Sequence, residues 1–134
     1  MSGCTVIIST GIFSDISTTH GVQIIAAATS HHAAVDTVTA RLTNTGDRAV
    51  FIPRCGTGPL LLSQQFVNGK WIDGTNAACS AADALNPITL DPGLTLVTVQ
   101  LFTEPGRFRF VTTVGETEDF SNSARSTSNS FALP

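Results

Sequence analysis

The sequence is poor in charge. Charged residues make up 13% of its 134 residues, about half the usual share, and the net charge is -3. No basic patch is present to neutralise phosphates, which argues against a nucleic-acid partner. No apolar run approaches the length of a membrane-spanning helix, so we expect no transmembrane segment. Ser and Thr take much of the place of charge, which is unlike a typical cytoplasmic enzyme.

Catalytic motifs are missing as well. The chain has no Gly-x-Ser-x-Gly elbow and no Gly-rich phosphate loop between a strand and a helix. The adjacent His31 and His32 would point to opposite faces of a strand, and no Cys lies at ligand spacing from them. We interpret these two and His20 as loop histidines. We therefore expect no enzyme, no cofactor and no catalytic or metal-ligating residues, although a chance Ser-His-Asp triad stays open.

Three features keep alternatives open. Glu116, Glu118 and Asp119 share one polar loop and could supply oxygen ligands to Ca²⁺, although solvated acidic loops are far commoner. Trp71 follows a hairpin turn, where its ring could stack on a sugar or pack into the core. The chain has no Asn-x-Ser/Thr acceptor for N-linked sugar, and O-linked sugar on its hydroxyls stays open.

The pattern that is present is a long series of strand signals. Alternating apolar and polar residues predict strands almost throughout, and Asn68-Gly69 predicts a tight hairpin. The turn at residues 44–47 is expected to join residues 36–44 and 48–53 in another hairpin. Many short strands at regular spacing predict an all-β sandwich or barrel. The predicted core consists of Val38, Leu42, Phe51, Phe66, Val97, Val99, Phe108, Phe110 and Phe131.

Six strand-and-turn signals follow one another between residues 42 and 133. They are LTNTGDRAVFIPRCG (42–56), VNGKWID (67–73), the Cys of NAACSAAD (76–83), LDPG (90–93), PGRFRF (105–110) and SNSFAL (128–133). In this order the chain resembles a bacterial extracellular immunoglobulin-like domain of the type found in exported lipoproteins. The resemblance implies a non-catalytic, antiparallel β-sandwich of about seven to nine strands over residues 36–134, located outside the cell or on its surface.

The chain has three cysteines. Cys55 and Cys79 are the natural disulfide pair, because a bridge across this loop would stabilise the fold by roughly 3 kcal/mol in the chain-entropy model. A disulfide needs an oxidising compartment, and two buried thiols in a cytosolic domain are the alternative. Met1-Ser2-Gly3-Cys4 resembles the end of a bacterial lipobox, with Met in place of the usual Leu. Cys4 is thus a candidate for lipidation, with a free or buried thiol as the alternative.

Residues 1–35 precede the immunoglobulin-like region and form an N-terminal extension. Within them the stretch CTVIISTGIF (4–13) is free of charge, and a strand here would be apolar on both faces. Such a strand is expected to be covered on both sides. Either it completes its own sandwich, or it fills a groove in the next copy of the chain. The residues that would form this assembly strand are Val6, Ile8 and Ile12 on one face, and Ile7 and Phe13 on the other.

We favour donation to the next copy, since strand donation gives affinity through main-chain hydrogen bonds. A head-to-tail contact of this kind produces open filaments. The sequence therefore predicts a non-enzymatic extracellular structural protein whose partners are other copies of itself in a filament or surface layer. A monomeric surface lipoprotein, or a module that binds carbohydrate or protein, is the alternative.

Overall fold

The computed structural model describes residues 20–74, 79 and 83–134. This part of the chain forms short strands joined by tight turns, and its one helical element is a 3-10 turn over Asp83–Leu85. The predicted all-β fold is confirmed. The strands are β1 (Val22–His32), β2 (Val35–Asn44), β3 (Val50–Ile52), β4 (Arg54–Cys55), β5 (Gly58–Pro59), β6 (Leu62–Val67), β7 (Lys70–Asp73), β8 (Ile88–Leu90), β9 (Thr95–Phe102), β10 (Gly106–Gly115), β11 (Ser123–Thr127) and β12 (Phe131–Leu133).

Two antiparallel sheets enclose the core. The first has the strand order β1-β2-β9. The second has the order β7-β6-β10-β3-β8, and β11 and β12 also pair with β10. Strand β10 is its centre, because β6 and β3 pair along one edge while β11 and β12 pair along the other. A separate two-stranded ladder joins β4 and β5.

The core forms because alternate side chains of each sheet point inward. Strands β1 and β2 alternate between buried and more exposed positions, as a sheet with one face on a core requires. The second sheet contributes the buried rings of Phe108, Phe110 and Phe131, and Phe102 of the first sheet packs against them. The buried apolar cluster consists of Val22, Ile24, Ala26, Ala28, Val38, Ala40, Leu42, Val50, Ile52, Leu61, Leu90, Phe108, Phe110, Val114, Phe131 and Leu133.

The predicted core is confirmed in part. Val38, Leu42, Phe108, Phe110 and Phe131 are buried, as predicted. The prediction is wrong for the other members, since Phe51 is half-buried and Phe66, Val97 and Val99 are exposed. Their strands present the neighbouring positions to the core instead, because a shift of one residue exchanges the two faces of a strand.

Strand β1 begins the first sheet. It lies within residues 1–35, which the sequence assigns to the extension, and it pairs with β2 from Val22 opposite Asn44 to His32 opposite Val35. The alternate residues Ile24, Ala26 and Ala28 enter the core. The sheet of the described residues therefore starts at Val22, well before residue 36.

The two predicted hairpins have different outcomes. Asn68 and Gly69 both have positive φ, at 51° and 80°, and they join Val67 to its partner Lys70 as predicted. The hairpin predicted around residues 44–47 is wrong, because β2 pairs with β1 and β9 while β3 pairs with β10 and β8. This turn instead carries the chain from one sheet to the other.

The side chain of Asn44 stabilises the turn between β2 and β3. It is fully buried and donates hydrogen bonds to the carbonyls of Arg48 (2.7 Å) and Leu90 (2.9 Å). Its carbonyl oxygen accepts a hydrogen bond from the Gly46 N–H at 2.9 Å. Because these bonds satisfy backbone groups on both sides of the turn, the chain leaves the first sheet at this point.

Candidate functional site

Strand β9 is an edge strand with an apolar outer face. Among the described residues it pairs with β2 and with no other strand. On its outer face Val97, Val99 and Leu101 are 52%, 55% and 68% exposed. The strand contains no charged residue and no proline, which are the usual devices that discourage an edge from pairing with another chain. We call its unpaired side the free edge of β9.

The register with β2 decides which side of β9 faces water. The sequence TLVTVQLF has apolar residues on both faces, so alternation does not distinguish them. Leu42 of β2 is buried and lies opposite Leu96, which directs Leu96 towards the core. Thr39 lies opposite Val99, so both point outward. The apolar row on the outer face is thus a consequence of pairing between strands distant in the sequence.

A groove follows the free edge of β9 between the two sheets. One part is a cleft of about 440 Å³, with Phe102, Asp73 and Glu104 among its lining residues. A second cleft continues it, and Leu61 and Gln100 line both. The groove therefore offers apolar and polar side chains next to an unpaired strand edge, which is the arrangement that binds an extended segment.

The opposite side of the sandwich is closed by hydrogen bonds. There β1 is the edge of the first sheet, and the buried Asn129 lies between β11 and β12. Its side chain accepts a hydrogen bond from the Ala26 N–H and donates one to the Ala26 carbonyl, both at 2.8 Å. Ser126 donates to the Val22 carbonyl at 3.2 Å. Side chains thus satisfy part of the β1 edge, and the two sides of the sandwich differ.

Trp71 lies on the outer face of the second sheet, so of its two alternatives, packing into the core is wrong. It packs against Phe66 with ring centres 5.1 Å apart. The guanidinium of Arg109 lies 4.2 Å from the centre of the Trp71 ring, and that of Arg107 lies 5.6 Å from the centre of the Phe66 ring. These cation–π contacts cover the aromatic rings with protein groups.

Two of the histidines singled out in the sequence pair separately with carboxylates. Nδ1 of His20 lies 2.9 Å from a Glu116 carboxylate oxygen, and Nδ1 of His31 lies 2.7 Å from one of Asp36. These two pairs lie at opposite ends of β1, and His31 and His32 belong to this strand, so their interpretation as loop histidines is wrong. Within the described ranges, no three His, Cys, Asp or Glu side chains converge in a way that could hold a metal ion.

Asp119 is held by hydrogen bonds within its own loop. The Thr117 hydroxyl donates to its Oδ1 at 2.6 Å, and the Ser121 N–H donates at 3.0 Å. The Thr117 hydrogen bond, followed by the bonds from Ser121, stabilises the carboxylate and lowers the pKa of Asp119 from 3.8 to about 2. Because this pKa lies below that of the unfolded chain, the stabilisation is complete above pH 3.8 and is lost as the pH falls towards 2.

We expect the Thr117→Val substitution to raise the pKa of Asp119 towards 3.8, because it removes the strongest of these hydrogen bonds. An NMR titration of the side-chain carboxyl carbons measures the change. Thr103→Val, in an exposed loop elsewhere, is the control and should leave the Asp119 midpoint where it is. An unchanged midpoint in Thr117→Val would contradict the assignment.

The predicted disulfide is present. Cys55 and Cys79 are bonded, with their Cα atoms 5.2 Å apart and a sequence separation of 24. Cys55 also lines the second cleft, so the bond lies next to the groove. Cys4 and the predicted assembly strand lie outside the described residues. That strand comprises Val6, Ile7, Ile8, Ile12 and Phe13.

The exposed face of β9 is the feature that sequence reasoning missed. The prediction placed Val97 and Val99 in the core, although the same stretch carries a usable signal. Residues 94–102 are apolar on both faces, as are residues 4–13, and only one face of an edge strand can enter its own core.

In the part of the chain that the structure describes, no helix has the length and apolarity to span a bilayer. The chain matches no protein-family model and no curated protein.

Proposed function

We propose that the protein is a non-enzymatic, immunoglobulin-like structural subunit that assembles head to tail by donating residues 4–13. The observation that carries the proposal is that the described residues between Val22 and Leu133 already form two paired sheets around a buried apolar core. Among the described residues the first sheet begins at Val22, and the last strand, β12, pairs with the central β10. In the sequence, the apolar segment 4–13 precedes the first strand of this core, and we propose that it pairs with another copy.

The disulfide supports a location outside the cell or on its surface. A bond between Cys55 and Cys79 persists in an oxidising compartment and is rare in the cytosol. The scarcity of charge and the abundance of hydroxyls suit a surface that packs against other copies. Lipidation of Cys4 would anchor the donor end of such an assembly to a membrane.

A monomeric module that binds carbohydrate or protein is the alternative. The exposed row of Val97, Val99 and Leu101 would serve a foreign protein as well as another copy. Carbohydrate is less favoured, because Arg109 stacks on the ring of Trp71 that a sugar would need. Oligomeric state separates the two functions, since the binding module stays monomeric on its own.

We expect full-length protein to form fibres or large oligomers, and Ile8→Asp to abolish them. An aspartate buried in the contact without a partner would cost several kcal/mol. Ser14→Asp adds the same charge outside residues 4–13 and should assemble like the wild type. Negative-stain microscopy and sedimentation velocity measure the assembly of all three proteins.

Deletion of residues 1–14 provides the complementary test. The shortened protein should be soluble and monomeric, and added CTVIISTGIF peptide should raise its melting temperature by mass action. Wild-type protein that remains monomeric at every concentration would contradict the proposed function.

A further inference from the structure

We propose that the free edge of β9 and the adjacent groove are the acceptor for residues 4–13 of a neighbouring copy. The incoming strand would become the fourth strand of the first sheet, next to β9. This inference rests on the proposed function and names the surface that receives the donated strand.

Comparison of the strand edges singles out β9. The β1 edge is bound by Asn129, and β7 carries the charges of Lys70 and Asp73. Strands β8 and β12 have three residues each, and β11 carries Arg125. Strand β9 has eight residues, no charge and an apolar outer row. Among the edges of the described sheets, it is the one with the length and chemistry to bind a further apolar strand.

The donor segment matches this edge in length and in the character of both faces. Residues 4–13 are ten residues long, and β9 has eight. Successive side chains of a strand point to opposite faces, so a strand added beside β9 would turn one face towards the groove and Phe102. Its other face would extend the exposed row that includes Val99. A position with an apolar environment on both faces requires a strand that is apolar on both faces, as residues 4–13 are.

The donor is joined in sequence to one edge of the described first sheet, and the acceptor is its other edge. The donor precedes β1, which is one edge of the first sheet, and β9 is the other edge, with β2 between them. The register places Val22 opposite Asn44 and Thr43 opposite Thr95, so the donor would have to cross the end of the sheet to reach its own β9. A donor and an acceptor at opposite edges make a heterologous contact, which continues the sheet from one copy to the next.

Paired substitutions in full-length protein test the acceptor. The test variant combines Val99→Lys with Leu101→Lys on β9, and the control combines Val67→Lys with Ile72→Lys on the β6–β7 hairpin. All four residues are exposed apolar side chains, and both variants add the same charge. We expect the β9 variant to raise the concentration needed for assembly roughly tenfold or more, because it loses two apolar cross-strand contacts. The hairpin variant should assemble like the wild type, and thermal unfolding shows that both are folded.

The outcomes separate this inference from the proposed function. If the β9 variant assembles normally while Ile8→Asp does not, strand donation stands and β9 is not the acceptor. If wild-type protein forms no assembly at any concentration, the proposed function fails, and the inference fails with it.

Cysteine cross-linking identifies the copy that supplies the strand. One tagged chain carries Ile8→Cys, and a second, differently tagged chain carries Val97→Cys, Val99→Cys or Leu101→Cys in turn, all with Cys4→Ser. A disulfide between the two tags supports donation to a neighbouring copy. When both cysteines are placed in one chain, a bond that forms only within the monomer would overturn it, because residues 4–13 would then pair with their own β9.

Discussion

The Phe110→Ala variant is expected to lose about 3–5 kcal/mol of unfolding free energy, as large-to-small changes in a packed core do. Phe110 is 1% exposed, and its ring centre lies 5.4 Å from that of Phe131 and 5.9 Å from that of Phe102. These rings come from three strands in two sheets. The site cannot collapse easily on the cavity, because β10 is paired along both edges.

Urea denaturation of Phe110→Ala measures the loss, in the Ile8→Asp background so that assembly does not add to the stability. Phe66→Ala is the matched control, since Phe66 lies on the outer face of the adjacent β6 and is 40% exposed. Its loss should be clearly smaller. Equal losses in the two variants would contradict the assignment of the two faces of the second sheet.

The Asn129→Ala variant is expected to lose about 2–4 kcal/mol, because it leaves a buried donor and a buried acceptor without partners. Both belong to Ala26, whose N–H and carbonyl each bond the Asn129 side chain at 2.8 Å. Ala26 and Asn129 are buried, so water cannot readily replace the lost bonds. The β1 edge would then separate from the β11–β12 edge of the second sheet.

Two measurements check the Asn129→Ala prediction, again in the Ile8→Asp background. Denaturation gives the total loss, and hydrogen exchange should show faster exchange at the Ala26 amide. Asn122→Ala, at an exposed turn position, is the control and is expected to change stability by less than about 0.5 kcal/mol. Full protection of the Ala26 amide in Asn129→Ala would show that the side chain does not hold this edge.

The sequence by itself determined the features that depend on neighbouring residues. Alternation and β-branched residues predicted an all-β fold, and Asn68-Gly69 predicted the β6–β7 hairpin, because turn chemistry acts over a few residues. The Cys55–Cys79 bond was also within reach, since a bridge across the loop between these two cysteines stabilises the fold. The apolar, charge-free character of residues 4–13 is likewise read directly from the chain.

The tertiary structure alone decided how strands distant in the sequence meet. Both faces of β9 are apolar, so only its register with β2 put Leu96 inside and Val99 outside. Hydrogen bonds from the Asn44 side chain stabilise the turn through which the chain passes to β3 in the second sheet. A hydrogen bond from the Asn129 side chain connects β1 to the segment between β11 and β12. The two amides have no local signal, because a buried amide is favourable only where its distant partners lie within hydrogen-bonding distance. The free edge of β9 follows from the same pairings, and with it the site proposed to receive the next copy.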